Sequence, residues 1–379
     1  MEFLKRFSLS ALAGWFCLAS CGLPELITLD NPSDSCSWEQ GGGGPGRSAF
    51  VNFPTPDQPR LLWKAEFKYR LNIEPTAALG AILIPMPDKK LYIISANNGS
   101  GYAEIKFRRA ILTPAVLADS IAVINLGGDR LMIENWVTQE IKWEAELAGS
   151  SLEPLIFNNM LYWLDGMDYL RCFDLDEGKR IWDEKMKGAN IAPPLACSLG
   201  VIIFAEDGLI ECFDPYTGIR LWSFATGERF KSTPLIIEDQ LLMASVDGRV
   251  TRVRMKDGNL VWKRDLHLPV WAPLASDGEG VFIGTSNRLI VKLDFHSGEV
   301  GWQKEVGGPI NAGPAVTGNS VIFVSIDHKV YFVDKISGDM RFIYETGGML
   351  TTRPMICQDK VFVAGEDKNL YCFQLSKDE

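Results

Sequence analysis

The stretch CFDPYTGIRLW (Cys212–Trp222) restates CFDLDEGKRIW (Cys172–Trp182) forty residues further along the chain. The restatement continues. Glycines stand at Gly178, Gly218, Gly258, Gly298 and Gly338, each forty residues after the last. Four residues before them come Asp174, Asp214, Arg254, Asp294 and Asp334, and four residues after them Trp182, Trp222, Trp262, Trp302 and then Phe342. A weaker copy, ENWVTQEIKW, ends at Trp143. A second series keeps the same period: Pro114, Pro154, Pro194, Pro234, Pro273, Pro314 and Pro354, each opening an apolar run. Two independent markers in one register identify a repeat architecture.

One unit, residues 231–262, reads KSTPLIIEDQLLMASVDGRVTRVRMKDGNLVW. It contains four short runs of strand formers. Asp247-Gly248 and the KDGN segment mark tight turns between them. Four strands in forty residues make an antiparallel meander, the blade of a β-propeller. In such a blade the repeat glycine turns the third strand into the fourth and calls for a positive φ. The Asp four residues earlier accepts backbone N–H groups of that turn. The Trp fills the wedge between blades, where burying one indole removes roughly 150–250 Å² from water. At the usual coefficient that is on the order of 4–6 kcal/mol before entropy.

The blade prolines count seven units. Residues 79–107 have the same rhythm without the Pro and Trp landmarks and make an eighth, irregular one. The last unit stops after its third strand. RLLWKAEF (residues 60–67) resembles RLWSFAT (residues 220–226) and supplies the missing outer strand, with Trp63 in the Trp place. The expected fold is therefore all-β: an eight-bladed propeller of four-stranded antiparallel blades over residues 60–379, closed by pairing of the N-terminal strand with the C-terminal blade. A seven-bladed ring with 79–107 as an appendage is the alternative.

Ahead of the repeats lies a different kind of sequence. Lys5 and Arg6 precede an apolar run and then Leu18-Ala19-Ser20-Cys21. Residues 1–20 have the form of an export signal. The last four resemble a bacterial lipobox, which implies cleavage before a lipidated Cys21; an ordinary signal peptide with an incidental cysteine is the alternative. Gly22 follows the cysteine, and in that sorting scheme this implies the outer membrane. Residues 21–59, with GGGGPG at 41–46, read as a flexible tether with a reach of roughly 35 Å.

The D-x-x-x-G-x-x-x-W phrase resembles the repeat of quinoprotein-type (PQQ-like) propellers. Within that group the lipobox, the leading outer strand and the eight compact repeats resemble the BamB family of outer-membrane lipoproteins. This resemblance implies a non-catalytic scaffold that binds outer-membrane barrel-assembly proteins or other envelope proteins, faces the periplasm, holds no cofactor and touches the membrane only through lipid. The alternative function is a quinone- or sugar-binding propeller, dehydrogenase-like or a sensor. A quinone-dependent dehydrogenase of this resemblance carries long capping insertions and often an adjacent cysteine pair. Here eight units of forty use about 320 of the 379 residues, and no two cysteines adjoin.

Other classes fit less well. A net charge of −10 argues against a nucleic-acid partner, since phosphate binding needs a basic face. His267, His296 and His328 are too dispersed to suggest a metal site. Cys172, Cys212 and Cys372 share one repeat position on strand three, and Cys197 and Cys357 another on strand one. Those strands are roughly 9–10 Å apart, beyond disulfide reach. Buried small apolar residues are the simpler reading, with pairing across blades, such as Cys172 with Cys197, left open. For a partner surface, the loops joining strand four to the next strand one offer Arg229, Phe230, Lys231, His267, Trp271 and Arg353, the residue types that anchor interfaces.

Overall fold

In a computed structural model, residues 26–29, 37–188 and 190–375 are described. They form eight antiparallel sheets and no helix. Blade 1 spans residues 76–106, and blades 2 to 7 follow at 116–146, 155–185, 195–225, 235–265, 275–305 and 315–345. Blade 8 takes its three inner strands from Met355–Cys357, Lys360–Ala364 and Asn369–Gln374. Its outer strand is Arg60–Glu66, which pairs antiparallel with Asn369–Gln374 and sets Trp63 opposite Cys372. Residues 79–107 belong to a full blade. Its leading proline is Pro75, just ahead of Thr76 and four residues upstream of position 79.

Burial follows each strand's distance from the axis. Second strands such as Gly200–Phe204 and Ser320–Val324 are buried at every residue, because blades cover both of their faces. Outer strands such as Arg220–Ala225 alternate exposed and half-buried positions. Every outer strand also carries a β-bulge, which lets Leu221 loop out and pairs Trp222 with Cys212. A bulge re-aims the side chains beyond it. Here it turns the indole toward the neighbouring blade.

That indole makes the joint. The Nε1 groups of Trp63, Trp143, Trp182, Trp222, Trp262 and Trp302 each donate to a carbonyl in the next blade, at 2.7–3.2 Å. Each ring lies under the turn glycine of that blade: Gly99, Gly178, Gly218, Gly258, Gly298 and Gly338 respectively. These glycines have φ between 68° and 75°. A Cβ at any of them would meet the ring at 2.6–2.8 Å. Glycine is thus required twice over, by backbone sign and by space. The carboxylates of Asp174, Asp214, Asp294 and Asp334 accept the turn N–H groups at 2.7–3.0 Å. All these rings but Trp302 remain half-exposed, so the burial energy per ring lies below the full-burial figure.

Two joints differ. Phe342 replaces the indole between blades 7 and 8, packed at 5.8 Å on Phe332. Between blades 1 and 2 the Trp place holds Ala103, paired with Ile93. Trp136, from the turn of blade 2, fills that joint from the opposite side and is fully buried. With no ring beneath the turn, Gln139 occupies the glycine place at φ 57°.

Residues 37–59 are not the flexible tether their composition suggests. Ser37–Trp38 pairs with Thr76–Ala78 of blade 1. Glu39 then accepts from Leu117 N of blade 2 at 2.8 Å. The Gln40 side-chain amide exchanges two hydrogen bonds with Ile156 of blade 3, at 3.0 and 3.2 Å. The carbonyls of Pro45, Gly46, Ser48 and Ala49 accept from Ala196, Ile236, Ser276 and Val316, in blades 4, 5, 6 and 7. One strand of chain thus circles the axis and meets the inner strands of seven blades in order. The glycine run makes this path possible. Gly42 has φ 79°, and a Cβ at Gly46 would meet the Ile236 carbonyl oxygen at 2.5 Å. Ile27 is also buried, with its N–H on the Val137 carbonyl. Cys21 and residues 1–20 lie outside the described residues.

Four cysteines, Cys172, Cys197, Cys212 and Cys372, are free, which excludes the Cys172–Cys197 pairing. Cys357 departs from the small-apolar reading: it is disulfide-bonded.

Trp222→Ala should cost about 3 kcal/mol, the low end for a core indole. Gly258→Ala should cost about 2–4 kcal/mol in the wild type, but only about 1–2 once Trp222 is gone, the residue of its left-handed backbone. Urea denaturation of the four proteins in the cycle tests this. An equal cost of Gly258→Ala in both backgrounds would show that the ring does not press on the turn.

Blade 2 contains a second test. Glu134 is buried at a position held by Ile94, Phe173, Phe213, Val253, Leu293, Val333 and Phe373 in the other blades, and its Oε1 has no partner. Burial pushes its carboxyl up to about 7 from 4.5. The folded state therefore holds the proton more tightly than the unfolded chain, and stability falls as pH rises from 4.5 through 7. Glu134→Gln should raise the Tm at pH 8, by up to about 3 kcal/mol of stability, and change it little near pH 4. A stabilisation independent of pH would contradict the buried acid.

Candidate functional site

Loops that join an outer strand to the next inner strand lie beside the turns between second and third strands of the following blade. Val246 N donates to Arg229 O, Ser286 N to Pro269 O, Ile326 N to Pro309 O and Glu366 N to Met349 O. These loops and turns form one face of the ring.

On this face the structure gathers four of the six nominated partner-binding residues, three of them with accessible side chains. Arg229, Lys231 and Trp271 line a depression of about 330 Å³ with Glu206, Val246, Asp247 and Pro269. Trp271 is 53% exposed and is the one tryptophan among the exposed large apolar residues described. Lys231 Nζ stands 5.5 Å from its ring centroid, within cation–π range. Arg229 pairs with Glu206 at 2.9 Å. His267 is exposed on a neighbouring turn at φ 54°, its Nδ1 3.2 Å from Asp265, and stands outside the depression.

The other two nominated residues are buried. Phe230 also borders the depression, but it is 2% exposed and packs with Phe204, Leu241 and Met243. It holds the loop down and offers a partner almost nothing. Arg353 is 6% exposed and points to the axis. The difference from Trp271 is one residue of register. Arg353 immediately precedes its blade proline, whereas Trp271 stands two before Pro273.

Residues immediately preceding the blade prolines ring a central cavity of about 400 Å³: Glu74, Thr113, Glu153, Pro193, Thr233, Gly313 and Arg353. Gly41, Gly42 and Arg47 of the axial segment also line it. Arg47 Nη1 donates to Glu153 Oε2 at 2.7 Å and to Gly41 O at 2.9 Å. Glu153 Oε1 accepts from Gly41 N at 2.8 Å. Glu74 accepts from Gly42 N at 3.0 Å and from the Trp38 indole at 3.3 Å. Burial pushes the Glu74 carboxyl up, against the pull of Arg353. Burial likewise lowers the Arg353 guanidinium, while Glu74 opposes that shift. Arg47, Glu153 and Glu74 thus tie the axial segment to the wall. Sequence reasoning missed Glu74, Arg47 and Glu153. A signal was available in the charged residues Glu74, Glu153 and Arg353, all at the position before a blade proline.

The family model described as Outer membrane protein assembly factor BamB matches residues 166–270 and 246–377, more than half of the chain. The chain belongs to the BamB family. The Outer membrane protein assembly factor BamB of Bordetella pertussis is 22% identical over 284 residues, covering 66% of this chain and 71% of that protein. Among solved structures, BamB from Moraxella catarrhalis aligns with a TM-score of 0.72 at 18% identity, over 84% of this chain and 100% of that one. The quinohemoprotein alcohol dehydrogenase of Comamonas testosteroni aligns at 0.75 and 11% identity, over 90% and 81%. At such identities the structural likeness establishes the propeller, which hosts unrelated activities.

Glu153→Gln should cost about 3–5 kcal/mol in chemical denaturation, because it strands the Arg47 charge in the interior. The paired replacement Arg47→Met with Glu153→Met should cost less than Glu153→Gln alone. The reverse order would mean that the ion pair is not what fastens the segment.

Proposed function

We propose that this BamB-family chain is a non-catalytic, lipid-anchored scaffold of the cell envelope and an accessory factor in outer-membrane β-barrel assembly. The observation that carries the reading is the family match across four of the eight blades and parts of their neighbours. In this reading Cys21 bears the lipid, the propeller faces the periplasm, and partners dock on the loop face. Trp271 supplies the apolar anchor there, and Arg229, Lys231 and His267 supply polar contacts around it. An exposed indole with flanking cations is the composition of an interface hot spot.

The quinone-dependent dehydrogenase reading draws support from the likeness in fold. Against it stand the short joins between blades and an axis narrowed by residues 37–51, which hydrogen-bond to seven blades and leave a central cavity of about 400 Å³. The scaffold reading accounts for both.

Photo-crosslinking in intact envelopes tests the proposal. A photoreactive residue at Lys231 in the full-length, membrane-anchored protein should capture proteins of outer-membrane assembly. The same residue at Ile336, 75% exposed on a turn between third and fourth strands at the opposite face, should not. Equal capture from both positions, or capture at Lys231 that excludes assembly proteins, would overturn the assignment.

A further inference from the structure

The guanidiniums of Arg47 and Arg353 are both buried, and both border the central cavity. Their hydrogen bonding is incomplete. Arg47 Nε and Nη2 and Arg353 Nε have no partner. Arg353 Nη2 donates to the Leu274 carbonyl at 3.1 Å. Buried donors left without acceptors are costly, and a native fold retains such groups where something else satisfies them. The site has also been cleared of side chains around these groups. A Cβ on Gly42 would meet Arg353 Nη1 at 2.5 Å, and one on Gly313 would collide with Arg353 Nη2. At about 400 Å³ the cavity falls in the range of small-molecule pockets. It opens on the loop face between the exposed residues Asn72 and Asn311.

We propose that this cavity binds a small organic carboxylate, held on its floor by Arg353 and Arg47. Arginine's planar fork matches a carboxylate and accepts it in paired hydrogen bonds. A dianionic group is disfavoured because Glu153 and Glu74 share the floor. Asn72, Asn311, Thr113 and Thr233 on the wall provide hydrogen bonds for the polar remainder of the ligand. Because Arg47 belongs to the axial segment and Arg353 to blade 8, a bound anion bridges the two and fastens the segment more tightly. This site is separate from the depression at Trp271 and does not depend on the scaffold reading.

Isothermal titration of the full-length protein in detergent with acetate, succinate and citrate, and with inorganic phosphate for comparison, tests the assignment. At least one carboxylate should bind saturably at millimolar concentration. Arg353→Gln should weaken it by about tenfold or more, the loss of one charge-assisted contact. Asn311→Trp, which narrows the mouth and leaves the charges in place, should also weaken binding; it covers the case in which Arg353→Gln does not fold. Ile336→Ala, on the opposite face, should bind as the wild type does. Absence of saturable carboxylate binding would mean that water satisfies the guanidiniums and would overturn the proposal. So would tighter binding of phosphate than of any carboxylate, or undiminished affinity in a folded Arg353→Gln or Asn311→Trp.

Discussion

The ring depends on one contact, an indole of one blade pressed beneath the turn of the next. Its hydrogen bond to a neighbouring carbonyl fixes the spacing between sheets, and the glycine above leaves no room for any other residue. The contact recurs at six of the eight joints, including the closing one, where Trp63 reaches Asn97 of blade 1. The forty-residue period is the covalent trace of this requirement. Each unit must deliver a turn to the blade before it and a ring to the blade after it. Where the ring is absent, at Ala103, the matching turn no longer needs glycine, and Gln139 stands there.

That reciprocity explains why most of the architecture was legible in the sequence. Blades 2 to 7 and the closing strand could be read directly, because glycine, tryptophan and proline are each tied to a backbone or packing condition. Blade 1 was harder, since Trp136 performs its joint from an unusual position, although Pro75 keeps the period, thirty-nine residues before Pro114. The bulges were invisible, because they are defined by pairing across strands and Leu221 looks like any apolar strand residue.

The axial segment was misread for a physical reason. A run of glycines reads as a coil when judged by backbone freedom alone. The same lack of side chains also lets backbone approach backbone, and around a crowded axis that property decides. The candidate sites divided along a similar line. Trp271 is visible as an exposed aromatic beside a loop. Phe230 and Arg353 have the composition of interface anchors, yet one lies beneath the loop and the other a single residue further toward the axis. Arg47 and Glu153, separated by 106 residues, gave no local sign of meeting.

The course of the axial segment also bears on how the chain reaches its native state. Residues 37–51 are made early, while their acceptors and donors are spread over seven blades that appear later. Thr55 finds Asn319 across 264 residues, and Arg60–Glu66 waits for Asn369–Gln374 at the other end of the chain. Such long separations make for slow folding. A nascent molecule must keep its earliest stretch uncommitted until nearly all of its length is present. Loss of the final strand would leave Arg60–Glu66 without a sheet to join and open the circle at its seam.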